Sequence, residues 1–247
     1  MKPSKASLLQ TISHRKWPLP DKKWSYYQEW NNALFLHWKV PAEVLEQFLP
    51  KELILDTFNG EAWVSLVAFT MEKIRPKLLP AFSPISDFHE INLRTYIIRD
   101  NKPGVYFLNI EAEKSLSALI SRTLSGLPYQ KAQMKRAKLE DHQTYTSNFK
   151  QKGFAFAAAY RFSDTLVSKS ELDLWLTERY CLYLEHRSKN YVYEIHHLPW
   201  ELHEVEVTEL LTNYRLGSID LNRTPDLVHY SKGVNVIAWN KETLNPE

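Results

Sequence analysis

The segment Asp87-Phe88-His89-Glu90-Ile91-Asn92-Leu93-Arg94-Thr95-Tyr96-Ile97-Ile98 changes side-chain character from one residue to the next. Read as a strand, it puts Glu90, Asn92, Arg94 and Tyr96 on one face and His89, Ile91, Leu93, Thr95 and Ile97 on the other. A strand covered on one side sends its polar face to water, whereas a strand in a closed barrel can line a polar pocket with it. The residues alone leave both arrangements open. Same-face positions four residues apart lie about 13 to 14 Å apart, so Asn92 fills the interval between Glu90 and Arg94. In a barrel this ladder is suited to orient a carboxylate or carbonyl ligand, with arginine as bidentate donor and Glu90 as acid or base.

The surrounding chain reads mostly as strands. Ala33 to Trp38 is short and aromatic, as in a central strand. Pro41 opens a helix with Val44, Leu45, Phe48 and Leu49 at helical spacing, and Pro50 stops it. Asn59-Gly60 between apolar runs signals a hairpin, and Asp100 to Gly104 turns the opening strand into a second one, Val105 to Ala112. Pro76 to Pro84 is a loop long enough to rim a pocket. Ser115 to Leu124 has helical spacing and brings Arg122 and the turn Gly126-Leu127-Pro128-Tyr129 to one neighbourhood. Phe154 to Phe162 suits a strand whose alanines leave room. Ser170 caps an amphipathic helix over Glu171 to Leu184. Asn190 to His197, Leu202 to Val207, Val228 to Tyr230 and Val234 to Trp239 are further strands. The fold class is therefore α+β and mainly β. No repeat or linker divides the chain, which reads as an N-terminal arm over 1–23, partly docked through Trp17 and Trp24, and a single domain over 24–247.

Composition excludes several functions. Charged residues make up 24% with a net charge of +2, so no strong field recruits nucleic acid, and the basic stretch Gln130 to Asp141 reads as a solvated face. No run approaches the ~18 to 20 apolar residues of a membrane span, and Met1 to Pro20 lacks the apolar core of a signal peptide, so a cytoplasmic location is expected. Six glycines without a phosphate-loop spacing argue against nucleotide binding. The single Cys181 reads as a small buried residue. His196 and His197 are adjacent and point to opposite faces of a strand, so with His203 they do not form a metal site. There is no Gly-x-Ser-x-Gly elbow. The expected partner is a small molecule, with no cofactor, metal, nucleic acid or membrane.

Several blocks in order resemble a known family. They are His37-Trp38 to Leu49-Pro50, Leu55-Asp56 with Gly60-Glu61-Ala62-Trp63, Phe88 to Tyr96, Gly104-Val105-Tyr106-Phe107, Leu127-Pro128-Tyr129 and His197-Leu198-Pro199-Trp200. Together they are similar to the DUF2071, or YqjF-like, proteins of uncharacterised function, over roughly Trp30 to Trp239. The resemblance implies the acetoacetate decarboxylase-like fold, a barrel-type antiparallel sheet around a ligand cavity with a few flanking helices. In the decarboxylase, Gly-Arg-Glu is followed by Pro-Lys-Lys. Here the comparable segments are Ser121-Arg122-Thr123 and Pro128-Tyr129-Gln130, so Arg122 and Pro128 are retained and Tyr129 stands where the Schiff-base lysine would fall. An arginine before the first barrel strand is replaced near Asn31. A phenol cannot form a Schiff base, and Lys131, two positions on, points elsewhere.

The expected site then comprises Glu90 and Tyr129 as candidate catalytic groups and Asn92, Arg94, Arg122, His89 and Tyr106 as ligand contacts. It would bind a small, anionic organic ligand, and any reaction would be acid/base chemistry on an organic acid or keto compound. The competing reading is a non-catalytic structural or interaction protein whose interior polar groups satisfy one another. Decarboxylase-type relatives assemble as oligomers, which leaves a homo-oligomer open.

Overall fold

The computed structural model describes residues 5–114, 129–186 and 188–244. Among these are twelve strands of three or more residues: β1 Tyr26–Lys39, β2 Trp63–Pro76, β3 Phe88–Arg99, β4 Lys102–Ala112, β5 Tyr129–Lys131, β6 Gln133–Lys138, β7 Gln143–Phe149, β8 Phe154–Leu166, β9 Cys181–His186, β10 Lys189–His196, β11 His203–Asn213 and β12 Leu227–Ala238. The helices are short: α1 Lys5–Gln10, α2 Ala42–Glu46, α3 Ser83–Ser86 and α4 Glu171–Thr177. The expected helix over Ser115 to Leu124 lies outside the described residues.

Seven strands form a closed ring. β4, β3, β2, β1 and β12 pair in that order, β12 pairs with β10, β10 with β9, and β9 returns to β4. Every contact is antiparallel except the closing one, where β9 runs parallel to β4 through Leu182↔Val105 and Tyr183↔Tyr106. Closure leaves these strands without free edges. β11, β8, β7 and β6 continue from β12 as a second layer over the outside of the ring.

Alternation sorts the side chains between two cores. Leu34 and Leu36 of β1, Leu66 and Ala68 of β2, and Ile91 and Leu93 of β3 point outward and pack against Tyr145, Phe156 and Tyr160 of the second layer. Ala33, Phe35, Val67, Phe69 and Phe88 point inward and meet Trp200, Val234 and Val236. Both faces of β3 are thus covered, and the solvated polar face does not occur. Two tight turns have a common cause, although Asn59-Gly60 closes only the single Phe58↔Glu61 bridge and Ile54–Leu55 before it pairs with β3 rather than β2. Asn59 and Gly60, and Asp100 and Asn101, all take positive φ, the conformation a two-residue turn needs between twisted strands.

Three expectations are corrected. The helix beginning at Glu171 ends at Thr177, and Cys181 to His186 is strand β9; a short apolar run does not distinguish the two until a partner strand is known. Val228 to Tyr230 and Val234 to Trp239 belong to one strand, β12. Arg136, assigned to a solvated face, turns inward and donates to the Asn32 carbonyl and to Tyr160 Oη. The arm docks firmly: Leu8 is buried with Tyr27, Ile237 and Trp239, and Arg15 donates to the Ile195 carbonyl at 2.7 Å and pairs with Glu194 at 3.2 Å.

The ring closes where β4 has no side chain. A Cβ on Gly104 would lie 2.5 Å from the Cys181 carbonyl oxygen and 2.6 Å from the Tyr183 ring. Gly104→Val is therefore expected to destabilise the fold by about 1–3 kcal/mol through overpacking, read from urea unfolding. An unchanged midpoint would contradict closure at this point.

Candidate functional site

β3 carries its polar alternate residues into the ring. Glu90, Asn92, Arg94 and Tyr96 are all less than 9% exposed. They divide into two groups. Towards one end, Asn92 Nδ2 donates to Glu90 Oε1 at 3.2 Å, and Tyr129 Oη donates to Glu90 Oε2 at 3.2 Å. Burial pushes the Glu90 carboxyl up to about 7, against the opposing pull of those two donors. Towards the other end, Arg94 Nη2 makes a long contact of 3.5 Å with the Leu176 carbonyl at the end of α4, and Tyr96 Oη donates to the same carbonyl at 3.0 Å.

Asn92 and Arg94 line a cavity of about 60 Å³, with Phe35, Phe107, His197 and Trp200 among its other walls. That volume holds a few waters or a ligand of a few heavy atoms. The Arg94 guanidinium is fully buried without an ion-pair partner among the described residues, and burial lowers its pKa. Its contacts are the Leu176 carbonyl and the Phe35 and Tyr96 rings, 5.7 and 6.0 Å from Cζ. Among the described residues, four buried polar atoms on the lining have no hydrogen-bond partner: Asn92 Oδ1, Arg94 Nε, Arg179 Nη2 and Trp30 Nε1. His197 presents a neutral imidazole, since burial lowers its pKa. Its Nδ1–H donates to the Leu198 carbonyl at 2.7 Å, which leaves Nε2 as an acceptor. Cys181 also lines the cavity, and burial pushes its thiol up to about 12, so it stays protonated.

The other sequence-derived candidates distribute differently. His89 is on the outer face, where Nδ1 lies 3.2 Å from Thr70 Oγ1 and the ring meets Tyr145 edge-on. Tyr106 is also turned out, against Leu53, Ile97, Cys181 and Tyr183. The reason is a β-bulge: Leu93 pairs with Asn109 but Arg94 with Phe107, so Leu108 is an extra residue. One inserted residue flips the facing of everything before it, so Val105 and Phe107 enter the cavity in place of Tyr106. Arg122 lies outside the described residues. Lys131 is exposed. The Pro76 to Pro84 loop does not line the cavity; its Leu78, Leu79 and Phe82 are exposed.

A buried polar chain at the α4 end of the ring was not legible beforehand. Asp173 Oδ1 lies 2.8 Å from His229 Nε2, His229 Nδ1 3.1 Å from His37 Nε2, His37 Nδ1 2.5 Å from Ser65 Oγ, and Ser65 Oγ 2.5 Å from Tyr96 Oη. With the Leu176 carbonyl the chain has five links between two groups that only accept. His229, His37, Ser65 and Tyr96 as neutral groups bring four protons. Burial lowers the His229 imidazole's pKa, the Asp173 carboxylate opposing this only in part, so the four protons serve four of the five links. The members come from β12, β1, β2, β3 and α4, and no spacing within the chain connects them.

Comparison with known proteins places this geometry in context. Residues 27–235 match the family DUF2071, described as an uncharacterised conserved protein. The chain belongs to the DUF2071 family. Its relative YqjF of Bacillus subtilis (strain 168), also uncharacterised, is 41% identical over 226 residues, 90% of this chain and 93% of that one. Among solved structures, this DUF2071 protein is similar to an acetoacetate decarboxylase-like enzyme from Sphingomonas wittichii RW1, with a TM-score of 0.61 and 12% identity over 92% of this chain and 95% of that one. It is similar to an acetoacetate decarboxylase, with a TM-score of 0.60 and 13% identity over 98% of each chain. It is also similar to the enduracididine biosynthesis enzyme MppR, solved with pyruvate, with a TM-score of 0.60 and 8% identity over 93% of each. These likenesses establish the acetoacetate decarboxylase-like fold.

The raised Glu90 pKa sets a pH dependence. A carboxyl that holds its proton more tightly folded than unfolded favours the fold below its unfolded value of 4.5 and loses that advantage as pH rises to about 7. By pH 8 the loss is on the order of 3 kcal/mol. Glu90→Gln is thus expected to raise the urea midpoint at pH 8 and to change it little at pH 4.5. Equal effects at the two pH values would place the carboxyl's pKa in the ordinary range.

Proposed function

We propose that this protein binds a small organic acid in the ring cavity, with the ligand's carboxylate on Arg94, and that Glu90, which does not line the cavity and meets it only through Asn92, is the group that holds or accepts a proton relayed from it. The observation that carries this reading is the Arg94 guanidinium, buried on the cavity wall without a carboxylate partner among the described residues. An uncompensated buried charge costs several kcal/mol, and an anionic ligand offsets that cost through a charge-assisted, bidentate contact. Trp30 Nε1 and Arg179 Nη2 supply further donors for a carboxylate or a neighbouring keto oxygen, and Asn92 Oδ1 can accept from a hydroxyl. The binding of pyruvate by MppR, a protein of the same fold, supports the ligand class.

The chemistry we assign is proton transfer. A carboxyl near neutrality exchanges protons at pH 7 without a large driving-force penalty. Amine catalysis is not part of this reading, because no lysine lines the cavity among the described residues and Tyr129 occupies the position where the resemblance would put the Schiff-base lysine.

Thermal unfolding in the presence of pyruvate, acetoacetate and short hydroxy acids tests the proposal. At least one is expected to raise Tm in the native protein and none in Arg94→Met. Without ligand, Arg94→Met is expected to be as stable as the native protein or more stable, by up to about 4 kcal/mol, because it removes an unpaired buried charge. If Arg94→Met instead loses stability and no acid shifts Tm in the native protein, the polar interior serves only the fold.

A further inference from the structure

A cleft of about 560 Å³ opens on the surface beside α4, between the docked arm and the tip of the β3–β4 hairpin. Four aromatic side chains line it, Trp17 from the arm, Phe58, Trp175 and Tyr180, with Asp56, Glu171 and Glu178 at its rim. Leu174, 43% exposed, adds an apolar floor that the fold leaves uncovered. Among the described residues, one lines both this cleft and the inner cavity, and it is Arg179. The partition is thin elsewhere too, since Tyr180 on the cleft side and His197 on the cavity side have ring centroids 4.9 Å apart.

Arg179 is built as a shared element. Its Nη1 pairs with Asp56 Oδ2 at 2.5 Å on the cleft side, and its Nε donates to the Trp175 carbonyl at 2.7 Å. The guanidinium lies over the Trp175 and Tyr96 rings, 4.3 and 4.9 Å from Cζ. The side chain is about 95% buried, yet Nη2 has no partner. Asp56 neutralises one of the two guanidiniums near the cavity, so the pair Arg94 and Arg179 carries one uncompensated positive charge. A carboxylate placed between them satisfies that charge and the free Nη2 together. The inner cavity has room for little more than that group, whereas the cleft on the other side of Arg179 is many times larger and presents rings.

Resting on the carboxylate reading above, we propose that the cleft is the second half of one ligand site and that the natural ligand is a carboxylic acid bearing an apolar, ring-sized body. The acid group enters the cavity between Arg94 and Arg179. The body lies outside it, against Trp17, Phe58, Trp175 and Leu174. The ligand passes from one half to the other along the Nη2 edge of Arg179, which shifts aside while Nη1 stays on Asp56.

Isothermal titration with pyruvate and with phenylpyruvate, which adds one phenyl ring to the same keto acid, tests this on the native protein and on Leu174→Glu. Leu174 is on the cleft surface and outside the cavity, and circular dichroism checks that the variant is folded. Phenylpyruvate is expected to bind at least about tenfold more tightly than pyruvate, the gain from burying a phenyl group. Leu174→Glu is expected to abolish that advantage and leave pyruvate binding unchanged. Equal affinities for the two acids, or an advantage that survives in Leu174→Glu, would overturn the cleft as a subsite while leaving the cavity reading intact. Binding of neither acid would overturn both.

Discussion

The parallel contact between β4 and β9 is the constraint on which the site depends. Without it the strands from β4 through β12 to β10 form an open, twisted sheet, and the alternate residues of β3 face solvent. With it they enclose a space that only inward-pointing side chains can furnish. The contact requires the backbone of Cys181 to approach Gly104 more closely than any Cβ permits. A backbone position without a side chain thereby decides that Glu90, Asn92 and Arg94 are interior groups, with the altered electrostatics that follow.

Two buried acidic or basic groups show how differently the interior treats charge. Glu111, on the outer face of the ring beneath the second layer, accepts from Ser147 Oγ at 2.7 Å and from Asn109 Nδ2 at 3.1 Å. Lys152 donates to Asn109 Oδ1 at 2.9 Å. This cluster closes on itself, and a protein needs no ligand to account for it. Arg94 has a single long contact to a carbonyl and two rings beneath its plane. The contrast within one molecule separates polar residues that belong to the fold from one whose burial calls for something further.

The polar chain from Asp173 to Tyr96 links the lid-like helix α4 to four ring strands. Asp173 has a double role, because it also accepts from the Ser170 backbone in the capping box that starts α4. The helix start and the histidine chain therefore share one carboxylate. The same helix ends at Leu176 and Thr177, where its carbonyl meets Arg94 and Tyr96. α4 thus spans from the Asp173–His229 pair to the cationic wall of the cavity.

Much of the fold was legible in local pattern. Alternation in Asp87 to Ile98 identified the strand and its two faces correctly, and Asn59-Gly60 marked the turn ahead of β2, because both signals depend on neighbours in the chain. The family resemblance supplied the barrel. What local pattern could not supply was any fact set by a partner strand. Tyr106 was expected to contact the ligand, and only pairing with β3 reveals the extra residue at Leu108 that turns it outward. Cys181 to Leu184 passed for helix until β4 gave it a parallel partner. Arg179, His197 and the histidine chain converge from distant elements, and no spacing records such convergence. The sequence by itself determined which side chains share a face of each strand, since the backbone's period of two is local. Only tertiary structure decided which face looks inward and which charges go unpaired, since closure, bulges and burial arise between strands and not along them.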